Sequence, residues 1–124
     1  MDGIIPIYKD KGETSFNYVV KSRKKLNIKR IGHGGTLDPI AEGVLIIMLN
    51  NSTRLMDYFH TLPKTYIGEM EFGKETDTDD YTGKIINALE DIDIISDCLN
   101  IENINNIIKE NFTGYIYQKP SDYS

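Results

Sequence analysis

The apolar residues of this chain fall into short runs whose period changes along the sequence. Gly3-Ile4-Ile5-Pro6-Ile7-Tyr8 reads as a short strand, and Pro6 places it at a sheet edge or an irregular end, because proline cannot donate to an interior ladder. A turn over Lys9 to Gly12 follows. Phe16, Val19, Val20 and Leu26 then recur at helical spacing behind Thr14 or Ser15, either of which can cap the helix. Lys21, Arg23, Lys24 and Lys25 fall largely off that apolar stripe. From Ile31 to Gly43 the periodicity stops, and Gly32, Gly34, Gly35, Gly43 and Pro39 mark a loop that bends sharply or approaches something closely. Val44 to Leu49 suits a buried strand, and Ser52 or Thr53 is placed to cap a short helix through Phe59.

Lys64 to Phe72 alternates, with Tyr66, Gly68, Met70 and Phe72 on one face and Thr65, Ile67, Glu69 and Glu71 on the other, which predicts a strand. Thr76-Asp77-Thr78-Asp79-Asp80-Tyr81-Thr82-Gly83 is a polar turn leading into a return strand at Ile85-Ile86. A helix over Glu102 to Asn111 would turn Ile104, Ile107 and Ile108 inward. Phe112 to Tyr117 is the candidate last strand, and Gln118 to Ser124 a tail. Strands and helices mixed without a βαβ rhythm predict an α+β fold, a mixed, mainly antiparallel sheet with flanking helices.

Composition changes this picture little. The 124 residues, 40% hydrophobic and 27% charged, suit one globular domain. The longest wholly apolar run, Val44 to Leu49, is too short to cross a bilayer, and Met1-Asp2-Gly3 lacks the basic start of a secretory leader, so a cytoplasmic protein with no membrane partner is expected. The lone Cys98 excludes an intramolecular disulfide and is expected as a small, at least half-buried hydrophobe. Charge matters more. A net charge of −5 argues against a nucleic-acid partner, yet no acid lies between Thr14 and Leu37, where Lys21, Arg23, Lys24, Lys25, Lys29 and Arg30 crowd together. The acids gather instead between Glu69 and Glu102. Either a solvated helix face or an RNA-binding one fits the basic cluster.

Two segments invite chemistry. The Asp-rich turn has carboxylates at alternate positions, but an EF-hand loop begun at Asp77 needs Gly where Thr82 stands and Glu where Ala88 stands, so a solvated hairpin turn is the better account and no metal is expected. The glycines at 32, 34 and 35 are followed by Thr36-Leu37 rather than the Lys-Ser/Thr of a phosphate-binding loop. On local pattern alone, Asp38-Pro39 reads as a helix cap with proline at the first helical position.

Longer motifs point elsewhere. Gly32-His33-Gly34-Gly35-Thr36-Leu37-Asp38-Pro39-Ile40-Ala41-Glu42-Gly43-Val44-Leu45 closely resembles the signature of the tRNA pseudouridine synthase B family, which modifies the T-loop uridine. The resemblance continues in Asp2-Gly3-Ile4, in Lys9 with Gly12, Thr14 and Ser15, in Lys64-Thr65-Tyr66, and in Gly73 with Thr76 to Asp80 and Gly83. It reaches Phe112-Thr113-Gly114, Gln118-Lys119-Pro120 and Tyr123-Ser124, and so covers nearly the whole chain.

The resemblance implies a pseudouridine synthase catalytic fold and a uridine-to-pseudouridine isomerisation in the tRNA T-arm, with no cofactor and no obligate protein partner. Asp38 corresponds to the family's catalytic aspartate. A carboxylate suits the task, because breaking the N-glycosidic bond and rejoining the sugar to C5 needs a group that attacks or stabilises the sugar, or helps take its proton. Tyr66 matches the aromatic that stacks on the extruded base, and His33 a residue that contacts RNA beside it. Thr36 and Gly35 shape the aspartate loop at the substrate. Lys9 and Lys64 match motif positions expected to be structural or phosphate-contacting. Asp10, Glu13, Asn50-Asn51 and Ser121 depart from the family pattern. The family also continues beyond this sequence, with a basic partner for the aspartate, another aromatic and a C-terminal RNA-binding region. The expectation is therefore that residues 1–124 are the N-terminal portion of a catalytic domain, inactive alone; the alternative is a non-catalytic RNA-binding remnant.

Overall fold

The computed structural model describes residues 1–91, 93–96 and 98–117, and separates into two compact units, Met1–Tyr66 and a second beginning at Ile67. The first unit runs β1 (Gly3–Lys9), α1 (Ser15–Leu26), β2 (Ile31–His33), β3 (Gly43–Leu49), a 3-10 helix (Asn50–Leu55) and α2 (Met56–Thr61). Its sheet has the order β1-β3-β2, with β3 central and antiparallel to both neighbours. Pro6 thus sits on an edge strand, where its missing N–H is tolerated.

Directly opposed residues of antiparallel strands share a face. Ile5 faces Ile47, Ile7 faces Leu45, and Ile31 faces Leu49, so one side of the sheet is continuously apolar. α1 closes it. Val19 packs with Ile31, Leu45, Ile47 and Leu49 as the buried core, flanked by Ile5, Ile7, Tyr18, Leu26, Ile28 and Leu37. The helix begins where Thr14 Oγ1 accepts the Asn17 N–H at 3.1 Å. It ends at Asn27, left-handed with φ 51°, whose N–H returns to the Arg23 carbonyl. Arg23, Lys24 and Lys25 in its last turn oppose the negative end of the helix dipole.

The segment expected to be a loop from Ile31 opens instead with strand β2, which the Gly34 N–H extends by donating to the Ile46 carbonyl at 2.8 Å. Gly34 is needed there for close approach rather than for a bend: a Cβ would lie 2.8 Å from Met48 Cε and 3.3 Å from Phe59 Cβ. Past β3, the expected cap at Ser52 or Thr53 does not form. The 3-10 helix starts at Asn50, and Thr53 Oγ1 donates back to the Asn50 carbonyl at 2.8 Å inside the turn. Asn50 also accounts for one departure from the family pattern. It adopts φ 49°, a left-handed conformation that asparagine accepts readily in place of glycine. Its Nδ2 ties the turn to the Met1 carbonyl at 2.6 Å.

The second unit contains β4 (Lys74–Thr76) paired antiparallel with β5 (Ile85–Ala88), a single-turn α3 (Asp93–Ser96) and α4 (Ile101–Asn111). Its hairpin turn closes on its own carboxylates. Asp80 Oδ1 accepts from Thr78 Oγ1 at 2.9 Å, from the Thr82 N–H at 2.7 Å and from Thr82 Oγ1 at 2.6 Å. Asp77 Oδ1 takes the Lys84 N–H at 2.8 Å. α4 is capped by Asn100, whose Oδ1 accepts the Asn103 N–H at 2.8 Å.

Two expected strands are absent. Residues 64–72 and 112–117 take no regular structure, because alternation makes a strand only where a neighbour supplies the ladder, and neither segment is paired among the described residues. The α4 face expected inward is only partly covered: Ile107 and Ile108 are 50% and 47% exposed. Cys98 is exposed as well, not buried. The expected tail, Gln118 to Ser124, and Ser121 with it, lies outside the described residues. The architecture is α+β with small antiparallel sheets, and no described helix is long and apolar enough to cross a membrane.

Candidate active site

Asp38 follows β2 through Gly35, Thr36 and Leu37 and opens a single tight turn, in which the Ala41 N–H donates to the Asp38 carbonyl at 3.0 Å. The helix-cap reading of Asp38-Pro39 is thereby replaced, since no helix follows. The Asp38 side chain is exposed, while the backbone around it is held from several sides. Ser15, 1% exposed at the start of α1, donates its hydroxyl to the Leu37 carbonyl at 3.0 Å and accepts the Leu37 N–H at 2.9 Å. On the other side, the Gly12 N–H donates to the Pro39 carbonyl at 2.7 Å.

Lys9 completes the support. It ends β1 on the helix-facing side of the sheet and is fully buried. Its Nζ donates to the Ala41 carbonyl at 2.6 Å, to the Asp10 carbonyl at 3.1 Å and, at 3.5 Å, to that of Pro39. A buried ammonium is costly without partners, and here carbonyl dipoles supply them. Of the two roles expected for Lys9, the structural one fits this burial. Lys64 is similarly engaged: its Nζ donates to the carbonyls of Phe59, His60 and Leu62 at 3.2, 3.0 and 3.0 Å, closing the C-terminal end of α2.

Asp10, where the family pattern has proline, brings a free N–H that must be satisfied. Tyr18 answers it: its hydroxyl accepts that N–H at 2.9 Å and donates to Asp10 Oδ2 at 2.6 Å. The hydrogen bond to Asp10 raises the Tyr18 phenol above its usual range. Glu13, a further departure, pairs with Lys21 at 2.9 Å, and the two hydrogen-bonded groups hold each other charged, with Glu13 lowered and Lys21 raised. Desolvation, then the neighbouring Glu42 carboxylate, raises the Tyr8 phenol.

His33 and Thr36 come together on a groove of about 240 Å³ lined also by Phe16, Arg23, Met56 and His60. His33 lies opposite Ile47 on the core-facing side of β2, and its Nδ1 is buried without a hydrogen-bond partner among the described residues. Neither Asp38 nor Tyr66 lines this groove; Tyr66 stands 68% exposed at the end of the first unit. Gly35, with φ 150°, lies where a Cβ would be 3.8 Å from Lys64 Cε. Sequence reasoning missed His60 and Met56. Their spacing of four residues on α2 was the available signal, weak because that helix is so short. The basic residues Lys21, Arg23, Lys24, Lys25, Lys29 and Arg30 are exposed, as a face meeting a polyanion requires.

Comparison with known proteins identifies a family. The family model described as TruB family pseudouridylate synthase (N terminal domain) matches residues 23–124. A tRNA pseudouridine synthase B of Aquifex aeolicus is 42% identical over 124 residues, 100% of this chain and 41% of that protein. One of Staphylococcus haemolyticus is 41% identical over 123 residues, 99% of this chain and 39% of that protein. A solved H/ACA RNP bound to a substrate RNA containing 2'-deoxyuridine is 43% identical, covering 45% of this chain and 18% of that one, with a TM-score of 0.44. The chain therefore spans about two fifths of the length of these synthases, 39 to 41%. With its signature loop and the match along most of its length, the chain belongs to the TruB family of pseudouridylate synthases.

Proposed function

We propose that the protein carrying this chain isomerises uridine to pseudouridine in the T-loop of tRNA, with Asp38 as nucleophile. The observation that carries the reading is the Asp38 loop: an exposed carboxylate on a backbone pinned at Leu37, Pro39 and Ala41. Pre-set orientation is what a covalent or proton-abstracting step demands of such a group. Tyr66 supplies an exposed ring on which an extruded base stacks, and His33 and Thr36 line a groove as RNA contacts, with Gly35 giving the loop its turn. The exposed basic face of α1 meets tRNA backbone phosphates. The reaction rearranges one nucleoside and consumes nothing, so the reading calls for no cofactor.

In this reading residues 1–124 are the N-terminal portion of a catalytic domain, and the protein works in the cytoplasm on the tRNA T-arm. The 124-residue chain alone is expected to be inactive, and robust conversion of a T-arm transcript by it would overturn that expectation. The central test is tritium release from C5-labelled uridine in tRNA by the full-length protein. Wild type is expected to release tritium and Asp38→Asn to release none. Turnover surviving Asp38→Asn would remove Asp38 from the chemistry. Tight tRNA binding without turnover in both would favour the non-catalytic RNA-binding reading, to which the exposed basic helix and Tyr66 also lend themselves.

A further inference from the structure

Asp38 is reached from the sheet through a segment with little of its own to fix it. The last ladder bond on that side is the Gly34 N–H to the Ile46 carbonyl, and Gly35 follows with φ 150°, a conformation open to glycine and strained for other residues. Thr36 is exposed. The Leu37 side chain packs against the core, which fixes where that residue lies but leaves its peptide planes able to rotate. The Ser15 hydroxyl removes that freedom. One oxygen donates to the Leu37 carbonyl at 3.0 Å and accepts from the Leu37 N–H at 2.9 Å, so both backbone groups of the residue before Asp38 are bound to one point. A hydroxyl has one donor and two acceptor positions, and this arrangement uses both kinds at once. The side chain is 1% exposed, which shields both bonds from exchange with water.

Downstream of Asp38 the anchors act differently. Lys9 and Gly12 hold only carbonyls, those of Pro39 and Ala41. They secure the loop to β1 and the turn after it. Only Ser15, among the described hydrogen bonds, ties the loop before Asp38 to helix α1.

We infer that Ser15 is a positioning residue for Asp38: its two-point hold on Leu37 sets the direction in which the Asp38 carboxylate leaves the loop, relative to α1. The inference rests on Asp38 as the reacting group. Loss of the hold leaves the carboxylate present but misdirected, and displacement of a reacting group by about 1 Å costs on the order of 100-fold in rate.

The test compares full-length wild type, Asp38→Asn, Ser15→Ala, Ser15→Cys and Leu26→Ala on tRNA, with steady-state kinetics and amide hydrogen exchange. Ser15→Ala is expected to lower kcat by about 10- to 100-fold with KM for tRNA unchanged, and to speed exchange of the Leu37 amide. Ser15→Cys fills nearly the same space with a weaker donor and acceptor, so its kcat falls between the two, and it carries the test should the alanine variant not fold. Leu26→Ala removes core contact from the same helix without touching the loop, and is expected to lower the unfolding midpoint while leaving kcat in place. Wild-type kcat in both Ser15 variants beside a dead Asp38→Asn overturns this inference alone. A kcat loss in Leu26→Ala equal to that in Ser15→Ala also overturns it, because the effect would then be stability. No turnover by wild type overturns the functional reading and takes this inference with it.

Discussion

The two units of the chain are held together by different means. In Met1–Tyr66, α1 covers a sheet and buries Val19, Ile31, Leu45, Ile47 and Leu49, and the polar residues Lys9 and Ser15 are buried with them. In the unit beginning at Ile67, no described residue is buried, and order rests on a hydrogen-bonded hairpin turn and a capped helix. Burial and local hydrogen bonding are both ways to make a segment regular, but local hydrogen bonds tie near neighbours, whereas burial brings distant residues together. That explains why every candidate site residue with a defined setting, from Lys9 to Lys64, belongs to the first unit. Its anchors join residues far apart in sequence, as Ser15 joins Leu37 and Lys9 joins Ala41.

Three changes would break or sharpen this contrast. The largest effect is expected from Ile47→Ala, which empties a position 1% exposed at the centre of the sheet and should cost about 2–5 kcal/mol. The matching change in the second unit, Ile108→Ala, removes a side chain 47% exposed and should cost under about 1 kcal/mol. Denaturant midpoints of the two variants measure the difference, and equal costs would dissolve the distinction. Next comes Lys9→Met, which keeps the stem but leaves the Ala41 carbonyl without its donor. A loss of about 1–3 kcal/mol is expected, with faster exchange at the Gly12 amide bonded to Pro39.

The smallest effect concerns the second unit and pH. Hydrogen bonds from Thr82, first from its hydroxyl and then its N–H, together with Thr78 hold Asp80 below its ordinary carboxylate value. A depressed folded value means that the charged form is favoured by the folded turn. Its contribution is complete above the ordinary value of about 3.9 and is lost as pH falls through the lower folded value. The Thr82 amide resonance should therefore hold its position down to about pH 4 and move only in stronger acid, whereas the core amides of β3 should not follow it. A Thr82 shift with an ordinary midpoint would show that these hydrogen bonds do not favour the charge.

Local pattern made the continuous parts legible. β1, α1 and β3 lie where alternation, helical spacing and an aliphatic run place them, because each element's own residues supply the face it buries. The polar turn and the return strand β5 were readable for a similar reason, the turn being built from neighbours, but β4 was not, since its strand was expected at 64–72 and Thr76 was assigned to the turn. Strands at 64–72 and 112–117 were misread because pairing is a property of two segments and alternation describes only one. β2 was hidden by Gly32 and Gly34, which serve close approach within a strand as readily as a bend in a loop. At the candidate site, the signature singled out the residues from His33 to Asp38. The Ser15 hold and the depth of Lys9 were not legible, since a hydroxyl spanning 22 positions leaves no periodic trace. Nor did the sequence show that Tyr18 would supply the partner for the N–H that Asp10 brings.

In the proposed reading, the burial of Lys9 bears on how affinity for tRNA should respond to added electrolyte. Counterion release counts only cations free to sit against phosphates, each contributing about 0.7 to the logarithmic salt slope for a single strand and about 0.9 for a duplex. Lys9 is fully buried with its ammonium held by backbone carbonyls, so it adds nothing to that exponent, whereas Lys64, although bonded to carbonyls, is exposed and keeps its charge at the surface. The slope is left to the exposed cations that reach the polyanion, and it should come out shallower than the 14 lysines and arginines of the sequence suggest.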